Sequence, residues 1–202
     1  MRTTILTIAI LVILTLGFSK ATFAANGSKE KIATILNEAS NIDQIEVHGN
    51  VELYLSNGPE DQVKVYNEYY AESAFVQNEN GVLRISNYAD KKLIVWVTAK
   101  DIRNVSAFDD AAVKSFGTLS FIDLDVKLFD HASAQLDLDT FATAVTLNNH
   151  SKANIEGSTS EAQLHYNVAS FLNKSNLVAD YVTEERTFEH HFHRHPSEFA
   201  SL

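Results

Sequence analysis

From Ile42 onward, apolar residues recur at every second position, the period of a strand buried on one face. Ile45-Glu46-Val47, Val51-Glu52-Leu53-Tyr54-Leu55, Val63-Lys64-Val65-Tyr66 and Val82-Leu83-Arg84-Ile85-Ser86 all alternate in this way. Gly49-Asn50, Ser56-Asn57-Gly58-Pro59 and Asn78-Glu79-Asn80-Gly81 separate them, and this chemistry predicts tight turns between consecutive strands. Leu93-Ile94-Val95-Trp96-Val97-Thr98 is apolar on both faces, which predicts a strand covered on both sides. Five short strands with turn residues between them predict an all-β unit. Upstream, Ile32, Ile35, Leu36 and Ala39 follow helical spacing behind a capping Ser28, so 25–41 reads as a linker or short helix.

The second half repeats itself. Val105–Ala112, Val126–Ser133, Val145–Lys152 and Ala162–Ala169 align with one another, at a step that shortens from each block to the next. Each block opens with alternating apolar residues and closes on Asp110, His131, His150 or Asn167 followed by small residues. Further alternating stretches, such as Leu119-Ser120-Phe121 and Leu136-Asp137-Leu138, lie between the blocks. A period near 20 with strand–turn–strand content predicts a solenoid, in which no coil buries its apolar side alone and stacked coils share one core.

Residues 1–24 have another character. Arg2 is followed by the apolar run from Ile5 to Phe18 and then by Thr22-Phe23-Ala24, the layout of a secretory signal peptide cut after Ala24. Export with that cut removes Arg2 and Lys20 and no acid, taking the formal charge from -10 to -12. So acidic a chain repels nucleic acid and anionic lipid, and both are set aside as partners. The chain has no cysteine, so the fold carries no disulfide, no lipid anchor at the cleavage point and no thiol chemistry. No later stretch has the length and apolarity of a membrane span, so the mature form is expected not to span one.

The candidate chemistry is sparse. His131 and His150 close adjacent blocks, and stacking would bring their rings within reach of a shared metal ion or proton, with Asp110 extending the row. The plainer reading is solvated turn residues. His190, His191, His193 and His195 crowd the end of the chain, where nothing fixes a coordination geometry, so 188–202 reads as a flexible tail that picks up metal adventitiously. Asp123-Leu124-Asp125 and Asp137-Leu138-Asp139 each put two acids on one strand face, as polysaccharide-cleaving enzymes require. They lie at different offsets, three and one residues before Val126 but eight and six before Val145, so they should not meet in one site. There is no nucleophile elbow and no phosphate-binding glycine loop. Tyr66, Tyr69 and Tyr70 are expected to cap the open end of the core, or to stack on a sugar or a protein.

The stretch Ile42–Thr187 resembles the head GIN domain family of auto-transporter adhesins. The resemblance lies in Ile45–Leu53, Val63-Lys64-Val65, Asn80–Ile85, and Leu93–Val97 followed by Ile102-Arg103-Asn104-Val105. It implies a right-handed parallel β-helix or solenoid-like fold, preceded here by antiparallel strands, and export from Bacteroidetes-type cells. It implies no established activity. Such families usually place glycine at the repeat corners, where this chain has Asp110, His131, His150 and Asn167. The reading is therefore a signal peptide (1–24), a linker or short helix (25–41), a β-solenoid domain (42–187) and a His-rich tail (188–202). The domain is expected to be a non-catalytic binding or adhesion module, without cofactor or metal, located in the periplasm, on the cell surface or outside the cell. Its ligand would be a carbohydrate or a protein of the envelope or the extracellular space, with the acidic face favouring cationic or carbohydrate ligands. The rival readings are a polysaccharide-active enzyme and a structural envelope protein joined through uncapped end strands.

Overall fold

The computed structural model describes residues 33–36, 41–66 and 74–188. The signal segment, most of the linker and the His190–His195 run lie outside them. The described chain is all-β: one curled sheet of thirteen strands, with no helix long and apolar enough to cross a membrane. The strands are β1 (Ala33–Leu36), β2 (Gln44–Gly49), β3 (Val51–Asn57), β4 (Gln62–Tyr66), β5 (Ala74–Glu79), β6 (Val82–Asn87) and β7 (Leu93–Ala99). They continue as β8 (Asn104–Ala107), β9 (Ala112–Ser115), β10 (Leu119–Leu128), β11 (Ser133–Leu147), β12 (Lys152–Asn167) and β13 (Phe171–Thr187). Ala33–Leu36 is therefore a strand and not part of a helix; it pairs antiparallel with β4.

Two runs of strands stack side by side. In one, β6, β2, β8 and the later parts of β10, β11, β12 and β13 pair in parallel. In the other, β7, β3, β9 and the earlier parts of β11, β12 and β13 do the same. The chain passes from one run to the other at corners, so each pass makes one layer of the stack. Val105, Val126, Val145 and Leu164 are successive partners in one row. The repeat is thus present, but its last step equals the one before it and does not shorten, because Leu164 and not Ala162 continues the row. The sheet is mixed, since β1, β4 and β5 run antiparallel, and it is not a uniformly parallel β-helix.

Alternation does the rest. In β2, β3, β7 and β8 every second side chain is buried, and inward residues of both runs join one core: Ile45, Val47, Leu53, Leu55, Ile85, Val95, Val126, Leu136, Leu138, Leu147 and Leu164 among them. Full burial of each such aliphatic contributes about 1.5–3 kcal/mol. Leu93–Thr98 is not covered on both sides by separate layers. Its outward Ile94 and Trp96 are half-buried, and Trp96 is flanked by rings of its own sheet: Tyr54 at 4.8 Å, Phe116 at 4.9 Å and Tyr66 edge-on at 6.4 Å. Tyr66 therefore packs on the outer face and does not cap the core; Tyr69 and Tyr70 lie outside the described residues.

The corners explain why turn chemistry alone misleads. Asn80-Gly81 does make the tight turn of a hairpin, joining β5 to β6 with both residues at positive φ. Gly49-Asn50 does not: β2 and β3 are not paired with each other but turn a corner, each between its own stacked neighbours. A side chain at Gly49 would collide with the Asn87 carbonyl, and its φ of +75° suits glycine. At the later corners the left-handed residues are Asp109, Asp130 and Asn149, at φ of 58–59°, one position before the expected Asp110, His131 and His150. Short polar side chains tolerate that conformation best. Each corner closes on itself, with Ala111, Ala132 and Ser151 N–H donating to the carbonyls of Phe108, Phe129 and Asn148. It also hangs from the corner before it, His131 N–H donating to Asp109 O and His150 N–H to Asp130 O.

Two positions test the stacking. Ala111, Ala132 and Ser151 follow successive corners and are all fully buried, and the Ser151 hydroxyl finds no hydrogen-bond partner among the described residues. Ser151→Ala should stabilise the protein by about 1 kcal/mol, because it removes an unsatisfied hydroxyl where the neighbouring layer already has alanine. A melting temperature that fell would refute this. Gly157, at φ +103°, has the Leu138 carbonyl oxygen 2.0 Å from where a Cβ would stand. Gly157→Ala should cost about 2 kcal/mol or more in denaturant unfolding, since both the strain and the clash fall on backbone.

Candidate functional site

In a stacked sheet, inward rows are used up by the core, and only outward rows are free to vary. One outward row reads Lys64, Trp96, Tyr54, Lys114, Gln135, Asn154 and Asn173, contributed by β4, β7, β3, β9, β11, β12 and β13 in that order. The row beside it reads Ile94, Glu52, Ala112, Ser133, Lys152 and Phe171. Neighbouring strands place these side chains about 4.8 Å apart. The first row is aromatic at one end and amide at the other.

Where the second row carries the small residues Ala112 and Ser133, the surface dips. An open groove of about 460 Å³ lies there, floored by Ala112, Val113, Ser133, Ala134 and Ala153. Lys114, Gln135, Asn154 and Asn173 form one bank, and Lys152 and Phe171 close the far end. Asn173 Nδ2 donates to Asn154 Oδ1 at 2.7 Å, which orients both amides. The Phe171 ring is 62% exposed. A second hollow of about 250 Å³ adjoins it, sharing Lys114 and Gln135 and adding Tyr54, Asp137 and Glu156.

The near end is held by Glu52. Its carboxylate accepts from Lys114 Nζ at 2.7 Å, from the Tyr54 hydroxyl at 2.6 Å and from Lys92 Nζ at 3.2 Å. The Lys114 ammonium and these further donors hold the Glu52 carboxyl down at about 2 from its ordinary 4.5, against the opposing effect of burial. Lys114 and Tyr54 are pushed up in turn, chiefly by the same hydrogen bonds to Glu52. Lys114 also lies 5.6 Å from the centre of the Tyr54 ring.

The sequence-predicted groups fall elsewhere. His131 and His150 do stack, rings 5.6 Å apart and nearly parallel, but among the described residues no three His, Asp or Glu side chains are placed to hold a metal ion. Asp123 and Asp125 line a different groove, of about 260 Å³, with Arg103, Glu161 and Gln163. Asp137 lies in the hollow by Tyr54, and Asp139 pairs with Ser158. The two Asp-Leu-Asp segments do not meet, as their offsets require, and Lys127 is engaged with Asp125. Sequence reasoning missed Lys114, Gln135, Lys152, Asn154, Phe171 and Asn173. Their signal was available: the outward positions recur along the chain at the same spacing as the inward ones.

Residues 41–185 match the family described as "Putative auto-transporter adhesin, head GIN domain". Among solved structures, the chain is similar to a "putative adhesin" of Bacteroides fragilis, with 17% identity, 80% of this chain and 78% of that one covered, and a TM-score of 0.68. It is similar to a "putative adhesin" of Parabacteroides distasonis at 14% identity, 78% of each chain covered and a TM-score of 0.59. It is also similar to a protein of Parabacteroides distasonis named "Putative lipid binding protein", at 9% identity, 77% of this chain and 78% of that one covered, and a TM-score of 0.61. At these identities the likeness is one of fold. No curated protein matches the chain.

The Glu52 cluster has a pH signature. Because its folded pKa lies below the ordinary value of 4.5, its stabilisation is complete above that pH and is lost as pH falls toward 2. The full gap corresponds to ~3 kcal/mol, which screening of the partly exposed lysines reduces to about 1–2 kcal/mol. Glu52→Gln should lose that amount in urea unfolding at pH 7 and differ little from the parent protein at pH 2.5. An equal loss at both pH values would contradict it.

Proposed function

The chain belongs to the family described as "Putative auto-transporter adhesin, head GIN domain", and from that premise we propose that it is an exported, non-catalytic recognition module that holds its ligand along the outer face of the stacked strands. The observation that carries this reading is the groove of Lys114, Gln135, Asn154, Asn173, Lys152 and Phe171, built from two outward rows on β9, β11, β12 and the edge strand β13. It is shallow and open, and it is lined by amides, ammonium groups and one exposed ring, the inventory of a surface that binds and releases a polar chain. Export rests on the signal-like residues 1–24, and the site of action is then the periplasm, the cell surface or the medium. Within the same reading, the parallel layers from β6 to β13 are a solenoid of the right-handed β-helix kind.

One observation favours a second reading, an enzyme acting on polysaccharide: Arg103, Asp123, Asp125 and Glu161 line one groove. Acids within reach of a cation are the minimum such chemistry requires. Release of reducing ends from a polysaccharide panel, abolished by Asp123→Asn, would establish it over the first.

The recognition module is tested on a glycan array and on whole bacterial cells. The purified protein should bind saturably to at least one of them. The double variant Gln135→Ala/Asn154→Ala should bind at least tenfold more weakly with its melting temperature within a few degrees of the parent. Binding that is indifferent to these changes would move the site off this face.

A further inference from the structure

We infer that the groove between Lys114 and Phe171 takes a carboxylate-bearing sugar unit, such as a uronate or a sialate, of a glycan chain; this rests on the recognition-module reading and names its ligand class. The chain has 26 Asp and Glu against 16 Lys and Arg, and its cations are largely spoken for. Arg84 pairs with Glu46, Lys92 and Lys114 with Glu52, Arg103 with Asp101, Lys127 with Asp125 and Lys174 with Glu184. Lys152 differs. It is exposed, it lines the groove, and among the described residues no carboxylate lies within ion-pair distance of it. An ammonium left open at the end of a groove with an apolar floor complements, at that one point and against the net negative charge of the chain, an anion carried by the ligand.

The groups around Lys152 specify what carries that anion. Its neighbours in the row are Ser133 on one strand and Phe171 on the other. Phe171 offers the apolar face on which a pyranose ring can lie. Ser133 supplies a hydroxyl where a larger side chain would fill the floor. Gln135, Asn154 and Asn173 stand in the adjacent row at strand spacing, about 4.8 Å per step. Gln135 presents a donor and an acceptor to sugar hydroxyls, while the Asn154 and Asn173 oxygens accept from Asn173 and Ser175 and leave amide N–H groups to donate. The carboxylate on Lys152 adds a charge-assisted hydrogen bond. A peptide fits less well. One that added a strand would do so along the outer edge of β13, which has no partner strand among the described residues, and would lie beside the groove and not along its rows, because β9, β11 and β12 are paired on both sides.

The experiment measures binding of the purified protein to two matched pairs, polygalacturonate against its methyl ester and sialyllactose against lactose. In at least one pair the acid should bind ten times or more tighter than its uncharged counterpart, with the preference shrinking in high salt. Lys152→Ala should abolish the preference by weakening the acid tenfold or more and the uncharged member by much less, Lys152→Arg should retain the preference, and Phe171→Ala should weaken both members alike. Both positions are exposed, so circular dichroism and melting should match the parent. Equal binding of acid and uncharged forms, or indifference to Lys152→Ala, would overturn the inference while leaving the module intact if Phe171→Ala still weakens binding. Tight binding of polyglutamate would overturn the sugar class. Binding to none of these ligands, to no array glycan and to no cell would sink both readings.

Discussion

Everything in this molecule depends on the register of its parallel ladders. Each layer pairs with the next so that an inward aliphatic lies over an inward aliphatic, and Val105, Val126, Val145 and Leu164 show the rule in a single row. The side-chain period of a strand is two, so slipping any layer by one residue would turn its buried set outward. The corners enforce the count. Asp109, Asp130 and Asn149 take the same left-handed conformation in three successive layers, and the corner backbones bond to one another as well as closing on themselves. A layer of the wrong length would break both kinds of bond and bury the lost partners without compensation. At the bend within β11 and β12 the buried hydroxyls satisfy one another: Thr140 bonds to Thr143 at 2.6 Å and to Thr159 at 3.0 Å.

A stack must also end, and the two ends are finished differently. At the first, antiparallel β4 and β1 extend one run and β5 the other, leaving edge strands of only four and six residues. Short edges template little further pairing. At the other end β13 runs for 17 residues. Its core-facing positions turn from aliphatic to charged: Glu184 partners Leu164, and Arg186 partners Tyr166. Glu184 takes hydrogen bonds from Lys174 and from the Tyr166 hydroxyl, which hold its carboxyl below the usual range. Lys174 and Glu184 lie on the two runs of the same layer, so their ion pair closes over the end of the core. Terminal repeats of solenoids need such polar finishing, because the layer that would bury them is missing.

The sequence exposes most of this and hides a definable remainder. Alternation located nearly every strand of the core, because burial of one face is a local, two-residue property. The repeat was legible through Val145, because valine recurs there. It blurred at the next step, where Ala162 and Leu164 both fit an alternating frame and only the backbone partner decides. Gly49-Asn50 has the composition of a hairpin turn, and nothing local distinguishes a strand that folds back from one that turns a corner to meet partners far along the chain, as Ile45 meets Leu83 and Val105. Ala33–Leu36 has helical spacing and becomes a strand because β4 offers it an edge. The candidate chemistry followed the same division. The stacked pair of His131 and His150 came from the repeat, whereas the groove did not, because the outward positions recur with the inward ones but their side chains change from layer to layer.

That last failure points to how such a site arises. A row in a stacked sheet is a series of positions with one geometry and independent choice of side chain. The core fixes the inward rows to aliphatics, so chemical variety accumulates outside, and a groove needs no loop, lid or insertion. Two small residues in succession, Ala112 and Ser133, lower the floor between the Glu52 cluster and Phe171. The bank then keeps its spacing because the backbone ladder keeps it, and a bound chain pays little to order it, which is the advantage of a rigid, preformed surface over a flexible one. The same geometry sets the limit. An open row can grip a ligand along its length but cannot surround it, so selectivity must come from matching repeat to repeat and charge to charge. In such an arrangement an ammonium with no carboxylate partner beside it, as at Lys152, is where a preference for charge in the ligand would be set.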